Sequence, residues 1–217
     1  MLSTERCHQI FVSSTFEDLR LERQQVTQAI LELGGFPSGM ELFTASDRSA
    51  WRLIQNVIQE CDYYIVVVGG KYGSIGDHGL SYTEMEFDYA VEIGVPIMGF
   101  VQKLSDDTPI KKIETDASKK KALEKFREKV KSRACVMFSD PNELGMAVMK
   151  SLVAETRVNP RTGWIRADKA RSDEDRDREI NLRDKLANAK QLIEVLERQV
   201  RDSRILSVSS STPQWLR

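Results

Sequence analysis

Apolar positions in this chain change period again and again. Short runs that are continuously or alternately apolar give way to longer segments in which apolar residues recur every three or four places, the mark of strands and helices packed in α/β layers. The run "HQIFVSS" (8–14) predicts a first strand. The segment 15–35 then places Leu19, Val26, Ile30 and Leu33 on one helical face, with Thr15 as N-cap, Asp18 three places on, and Gly34–Gly35 as the stop. A weaker strand is predicted over 37–43. The helix after it is capped by Ser46 or Asp47 and turns Trp51, Ile54, Val57 and Ile58 inward.

The run "YYIVVVGG" (63–70) is β-branched and aromatic, the composition of a strand buried on both faces of a parallel sheet. A loop over 70–80, a helix over 82–93 and a strand over 96–101 follow, then a polar stretch to residue 116 that reads as an exposed loop. A charged amphipathic helix (117–133), a fifth strand (134–139) and a helix capped by Asp140 with Pro141 at its first position complete the series. Five strand–helix repeats predict a three-layer α/β sandwich with a parallel sheet and helices on both faces. Right-handed crossovers, with the most apolar strand at the centre, give the order 2-1-3-4-5.

The pattern changes beyond this α/β domain, assigned to 1–167. Residues 168–179 are almost wholly charged and read as a linker. Over 180–203, Leu182, Leu186, Ala189, Ile193, Leu196 and Val200 recur at steps of four and three, an a/d seam of nearly three heptads. Such a helix needs a partner, and the charged linker has no apolar residue to dock it, so a coiled-coil homo-oligomer or an effector protein is the expected answer. The Ser-rich stretch 204–217 reads as a disordered tail.

Composition narrows the function. A net charge of −1 gives no broad electrostatic reason for nucleic acid binding. No apolar run approaches the ~20 residues of a membrane span. The N-terminal sequence lacks a signal peptide's basic and apolar regions. Cys7, Cys61 and Cys135 show no metal-ligand spacing, which fits thiols in a reducing cytoplasm, and with only His8 and His78 a metal site is not expected.

Candidate chemistry gathers at the carboxyl ends of the strands, where open parallel sheets bind ligands. Ser13, Ser14, Thr15 and Phe16 leave the first strand for a helix N-terminus, a place suited to phosphate. Gly69, Gly70, Tyr72, Gly73 and Ser74 leave the third strand in a turn whose glycines allow a ligand close to the backbone. Ser81 and Thr83 open the next helix. On that helix Thr83, Glu86 and Ala90 share a face, Met85, Tyr89 and Ile93 form the stripe expected against the sheet, and Glu84 and Asp88 lie together elsewhere. Glu86 is the carboxylate placed to border both core and strand ends. Desolvated there, it suits stabilising an oxocarbenium-like sugar or attacking C1′; equally, it suits a structural hydrogen bond to the "GGKYG" loop.

The segments "IFVSSTFEDLRLER", "GMELFTASDRSAWRLIQNVIQECDYYIVVVGGKYGS", "SYTEMEFDYAVEIGVPIMGFV" and "NPRTGWIRAD" resemble a domain-of-unknown-function family with a TIR-like fold. The resemblance covers about residues 7–168 and implies a flavodoxin-like, TIR-related fold. Its members stand at the N-terminus of bacterial defence proteins and ahead of STAND-type ATPases. The wider superfamily includes nucleoside 2-deoxyribosyltransferases, whose motif is matched by Thr83, Glu86, Tyr89 and Ala90. The Asp-x-Gly expected ahead of that threonine is replaced by Leu80, Ser81 and Tyr82. The resemblance implies a nucleotide pocket and nominates Glu86 as the catalytic residue of an N-glycosidase. Two readings follow. One is a recognition and assembly module in anti-phage defence; the other is an enzyme cleaving NAD or a related nucleotide, which would be its substrate and not a cofactor.

Overall fold

The computed structural model describes residues 6–39, 49–76, 79–105, 107–166 and 173–209, with side chains for all of these except 49–50, 173–176 and 202–209. Five strands form one parallel sheet: β1 (Gln9–Ser14), β2 (Phe36–Ser38), β3 (Tyr63–Val68), β4 (Ile97–Gln102) and β5 (Cys135–Phe138), in the order β2-β1-β3-β4-β5. The predicted order holds. Every residue of β3 is buried, as a strand with helices on both of its faces must be.

Side chains alternate across the sheet and feed two cores. Ile10, Val12, Ile65, Val67 and Phe100 pack against α1 (Arg20–Glu32) and α5 (Pro141–Val158). Phe11, Tyr64, Val66 and Val101 pack against α2 (Ser49–Glu60), α3 (Tyr82–Glu92) and α4 (Ala117–Lys131). Asp140 caps α5 by accepting from the N–H groups of Asn142 and Glu143, with Pro141 in the first turn as predicted.

Three local expectations are corrected. Helix α1 begins at Arg20, not after Thr15, and Leu19 precedes it with no side-chain cap. Asp18 is drawn away from any capping box because it accepts from the Lys71 N–H across the strand ends, at 3.2 Å. Strand β2 pairs only over Phe36–Ser38, while residues 40–48, with the proposed caps Ser46 and Asp47, lie outside the described residues. The stripe of α3 facing the sheet is Thr83, Glu86, Phe87 and Ala90. Tyr89 instead meets Trp51 of α2 edge-on, and Ile93 is exposed. The stretch after β4 is mostly exposed, as expected, yet it is tied to the strand ends. It carries a 3-10 turn, Ile110–Lys112, and binds the β3 turn through the Glu114 N–H to the Gly70 carbonyl, 2.7 Å.

One carboxylate closes the opposite end of the sheet. Asp62 accepts from the Gln9 N–H at 3.0 Å and from the Gly163 N–H at 3.1 Å, and it lies 3.5 Å from His8 Nδ1. Gly163 holds φ 64, a left-handed conformation that suits glycine. Trp164 and Cys7 exchange backbone hydrogen bonds of 2.7 and 2.9 Å. Cys61, beside this knot, is buried. Desolvation, with the neighbouring Asp62 charge adding to it, pushes its thiol up to about 12. In native protein at pH 8, iodoacetamide should therefore label the half-buried Cys7 and Cys135 well before Cys61, as read by mass spectrometry. Equal labelling of Cys61 would contradict this environment. Because an unfolded thiol ionises near 9.0, this group also predicts stability falling as pH rises from there towards 12.

The chain divides into two units, residues 1–166 and 167–217. The second contains one helix, α6 (Asp173–Ser209), which begins within the expected linker and continues past residue 203. Its apolar residues Leu182, Leu186, Leu192, Ile193, Leu196 and Val200 are 50–65% exposed. Among the described residues no helix is long and apolar enough to cross a membrane.

Candidate functional site

Strand β1 ends in two hydroxyls that face opposite layers. Ser14 follows the even-numbered side towards α1 and accepts from Arg23 at 2.5 Å. Ser13 follows Phe11 towards α3 and donates to Glu86 Oε2, also at 2.5 Å. Both Ser13 and Glu86 are 1% exposed. The Tyr64 hydroxyl is buried in the same place. Desolvation and then the Glu86 charge hold it well above its ordinary ionisation range, so it stays protonated.

Above this layer a cleft of about 750 Å³ opens at the carboxyl ends of β1 and β3. Ser14, Thr15, Phe16, Gly73, Ser74 and Thr83 line it, as do Arg23, Lys71, Tyr82 and Lys119 together with Glu17, Asp18 and Glu114. Gly73 turns the chain at φ 91 along this wall. Three cations thus interleave with three carboxylates, and two aromatic rings stand among them. Phe16 is 54% exposed and carries the Arg20 guanidinium 5.4 Å from its ring centroid. Burial raises the Asp18 carboxyl above its ordinary 3.8, although hydrogen bonds from Thr15 and the backbone and the Lys71 charge oppose the shift.

The remaining sequence-nominated residues lie off the cleft wall. A Cβ on Gly69 would press on Asp18 and Leu19, and one on Gly70 would overlap the Lys112 carbonyl. Those close approaches belong to the chain's own packing, not to a ligand. Tyr72 is buried and donates to Glu84 Oε2 at 2.6 Å. Ser81 caps α3 by accepting from the Glu84 N–H. The three carboxylates of α3 consequently divide. Glu84 and Asp88 both accept from Lys129 of α4, at 2.7 and 2.8 Å, while Glu86 turns inward to Ser13. Burial works against the Lys129 charge, but its hydrogen bonds to Asp88 and Glu84 leave its pKa above 10.5. The hydrogen bond from the "GGKYG" loop that Glu86 was expected to accept is made by two other carboxylates. Asp18 takes the Lys71 N–H and Glu114 takes the Tyr72 N–H, each at 3.2 Å.

Arg23 is the wall residue that periodicity could have exposed. It falls on the same stripe as Leu19, Val26 and Ile30, so a charge there must be buried against something polar. Glu114 and Lys119 carried no such signal, since only the packing of the stretch after β4 and of the first turn of α4 brings them in.

The family model of a domain of unknown function, DUF4062, matches residues 9–153. The chain belongs to DUF4062. No curated protein matches this DUF4062 chain. Among solved structures it is similar to a CMP N-glycosidase of Clostridium botulinum, with 15% identity and TM-score 0.41 over 67% of this chain and 98% of that one. It is also similar to the TIR domains of an activated resistosome that directly recognises a pathogen effector, with 15% identity and TM-score 0.48 over 67% and 99%. A diflavin flavoprotein of Nostoc sp. aligns at 13% identity and TM-score 0.36 over 73% and 100%. None of these likenesses bears on the chemistry of this chain.

Proposed function

We propose that the α/β domain is a TIR-like nucleotide-recognition and assembly module of bacterial, anti-phage-type defence signalling. The observation that carries the recognition half is the cleft, whose wall sets the aromatic residues Phe16 and Tyr82 among Arg23, Lys71 and Lys119. Aromatic faces accept a base and cations accept phosphate, while the carboxylates suit ribose hydroxyls. Glu86 supports recognition over turnover, because it is held by Ser13 beneath the cleft and does not line it. The defence setting follows the sequence resemblance.

Calorimetry with NAD, ADP-ribose and CMP, coupled to chromatography for released base, tests this reading. Binding without base release is the expected result, weakened about tenfold by Phe16→Ala through lost stacking. Absence of binding by all three, or binding indifferent to Phe16→Ala, would refute it. A second reading, an N-glycosidase with Glu86 catalytic, is favoured by one feature. A water-excluded carboxylate one hydrogen bond behind the β1 end is the kind of group that stabilises a sugar cation. Released nicotinamide or cytosine would move the assignment there.

A further inference from the structure

The apolar face of α6 poses the question of its occupant. Taking Leu186, Ile193 and Val200 as a positions and Leu182, Ala189 and Leu196 as d positions, the flanking e positions are Arg183, Lys190 and Glu197, and the g positions are Arg178, Lys185, Leu192 and Gln199. Ile180 and Val195 fall outside both sets. The described intrahelical ion pair here is weak: Arg183 to Glu179 spans 3.4 Å between exposed side chains.

A parallel pair of such helices sets g against the e position five residues on in the partner copy. That places Arg178 against Arg183 and Lys185 against Lys190, each twice, with no opposite-charge pair among Arg178–Arg201. It also puts Ala189 opposite Ala189, an under-filled layer in the middle of the seam. An antiparallel pair removes most of these conflicts. Its core layers are Leu186 with Leu196, Ile193 with Ala189, and Val200 with Leu182, so the small residue meets a large one. Arg183 then faces Glu197 on both sides, and Leu192 meets its own copy over the Ala189 layers. One like-charge contact, Lys190 with Lys190, remains at the centre. In this register residue 173 lies level with residue 209, so the two helices overlap along their whole length, about 55 Å.

We infer that α6 pairs with a second copy of this chain as an antiparallel coiled coil in this register. The inference deepens the assembly half of the proposed function and is independent of the nucleotide cleft. Charge complementarity and the alternation of large and small core residues carry it.

Two singly substituted full-length proteins, Ala189→Cys and Ile193→Cys, test the direction when co-expressed with different tags and oxidised, with wild-type protein giving the background from its own thiols. The expected product is the mixed disulfide between positions 189 and 193. Disulfides of each variant with itself would overturn the antiparallel arrangement while leaving assembly through α6 intact. Light scattering supplies the second measurement. Glu197→Lys should weaken the dimer about tenfold by setting Lys against Arg183, and Arg183→Glu in the same chain should restore it. Failure of that rescue counts against the register. A wild-type protein that is monomeric at tens of micromolar overturns the pairing and the assembly reading together, with nucleotide binding in the cleft untouched.

Discussion

Gly70→Ala should melt about 10 °C below the wild-type protein. The position has no room for a methyl group, since a Cβ there would fall on the Lys112 carbonyl. Backbone cannot rotate aside as a flexible side chain can. The stretch after β4 must therefore lift from the strand ends and strain the Glu114 N–H to Gly70 carbonyl bond. Overpacking of this kind costs about 3 kcal/mol, and in a domain of this size each kcal/mol lowers the melting temperature by about 2–4 °C. The same displacement carries off Glu114 and Lys119, which belong to the cleft wall. Nucleotide affinity should fall with stability, in a thermal melt and a titration on one sample. A variant that melts with the wild type would show that the 110–116 segment is not held where the structure places it.

Glu86→Gln separates structure from chemistry. The amide keeps the volume and can still accept from the Ser13 hydroxyl, so stability should change by less than about 1 kcal/mol. The charge is gone. On the second reading, that of an N-glycosidase, base release should fall more than ~100-fold, a barrier increase of roughly 2.7 kcal/mol, with nucleotide binding retained. An unchanged rate would assign the chemistry to another group. Ser13→Ala supplies the structural counterpart: it strips a donor from a buried carboxylate and should cost about 1–3 kcal/mol, with no dependence on nucleotide.

The sheet was legible because β3 is apolar without interruption and the helices between strands are strongly periodic. Its central place followed from that apolar run, and the strand order from the run together with right-handed crossovers. The cleft was legible as a region, since Ser14, Thr15, Phe16, Gly73, Ser74 and Thr83 sit at strand ends by sequence position. What escaped were pairings made across the fold. Thr15 and Asp18 have the spacing of a helix cap, but Asp18 gains more by answering a backbone N–H that would otherwise be stranded in the β3 turn. Gly69 and Gly70 signal close approach without saying to what. The α3 stripe was misassigned because Met85 and Phe87 are both apolar, and the choice between them was settled by Phe126, which meets Phe87 edge-on at 5.7 Å.

The hydrogen-bonded contact between Cys7 and Trp164 has a consequence for how this domain can be used. The segments by which the polypeptide enters and leaves the α/β unit are fastened side by side, with Asp62 gripping both through Gln9 and Gly163. A unit whose entrance and exit share one edge is a cassette: it can be spliced into a surface loop of another protein without pulling either fold apart. Residues 7–164 define the span to transplant, and cutting inside Gly163–Trp164 would sever the clasp that makes it portable.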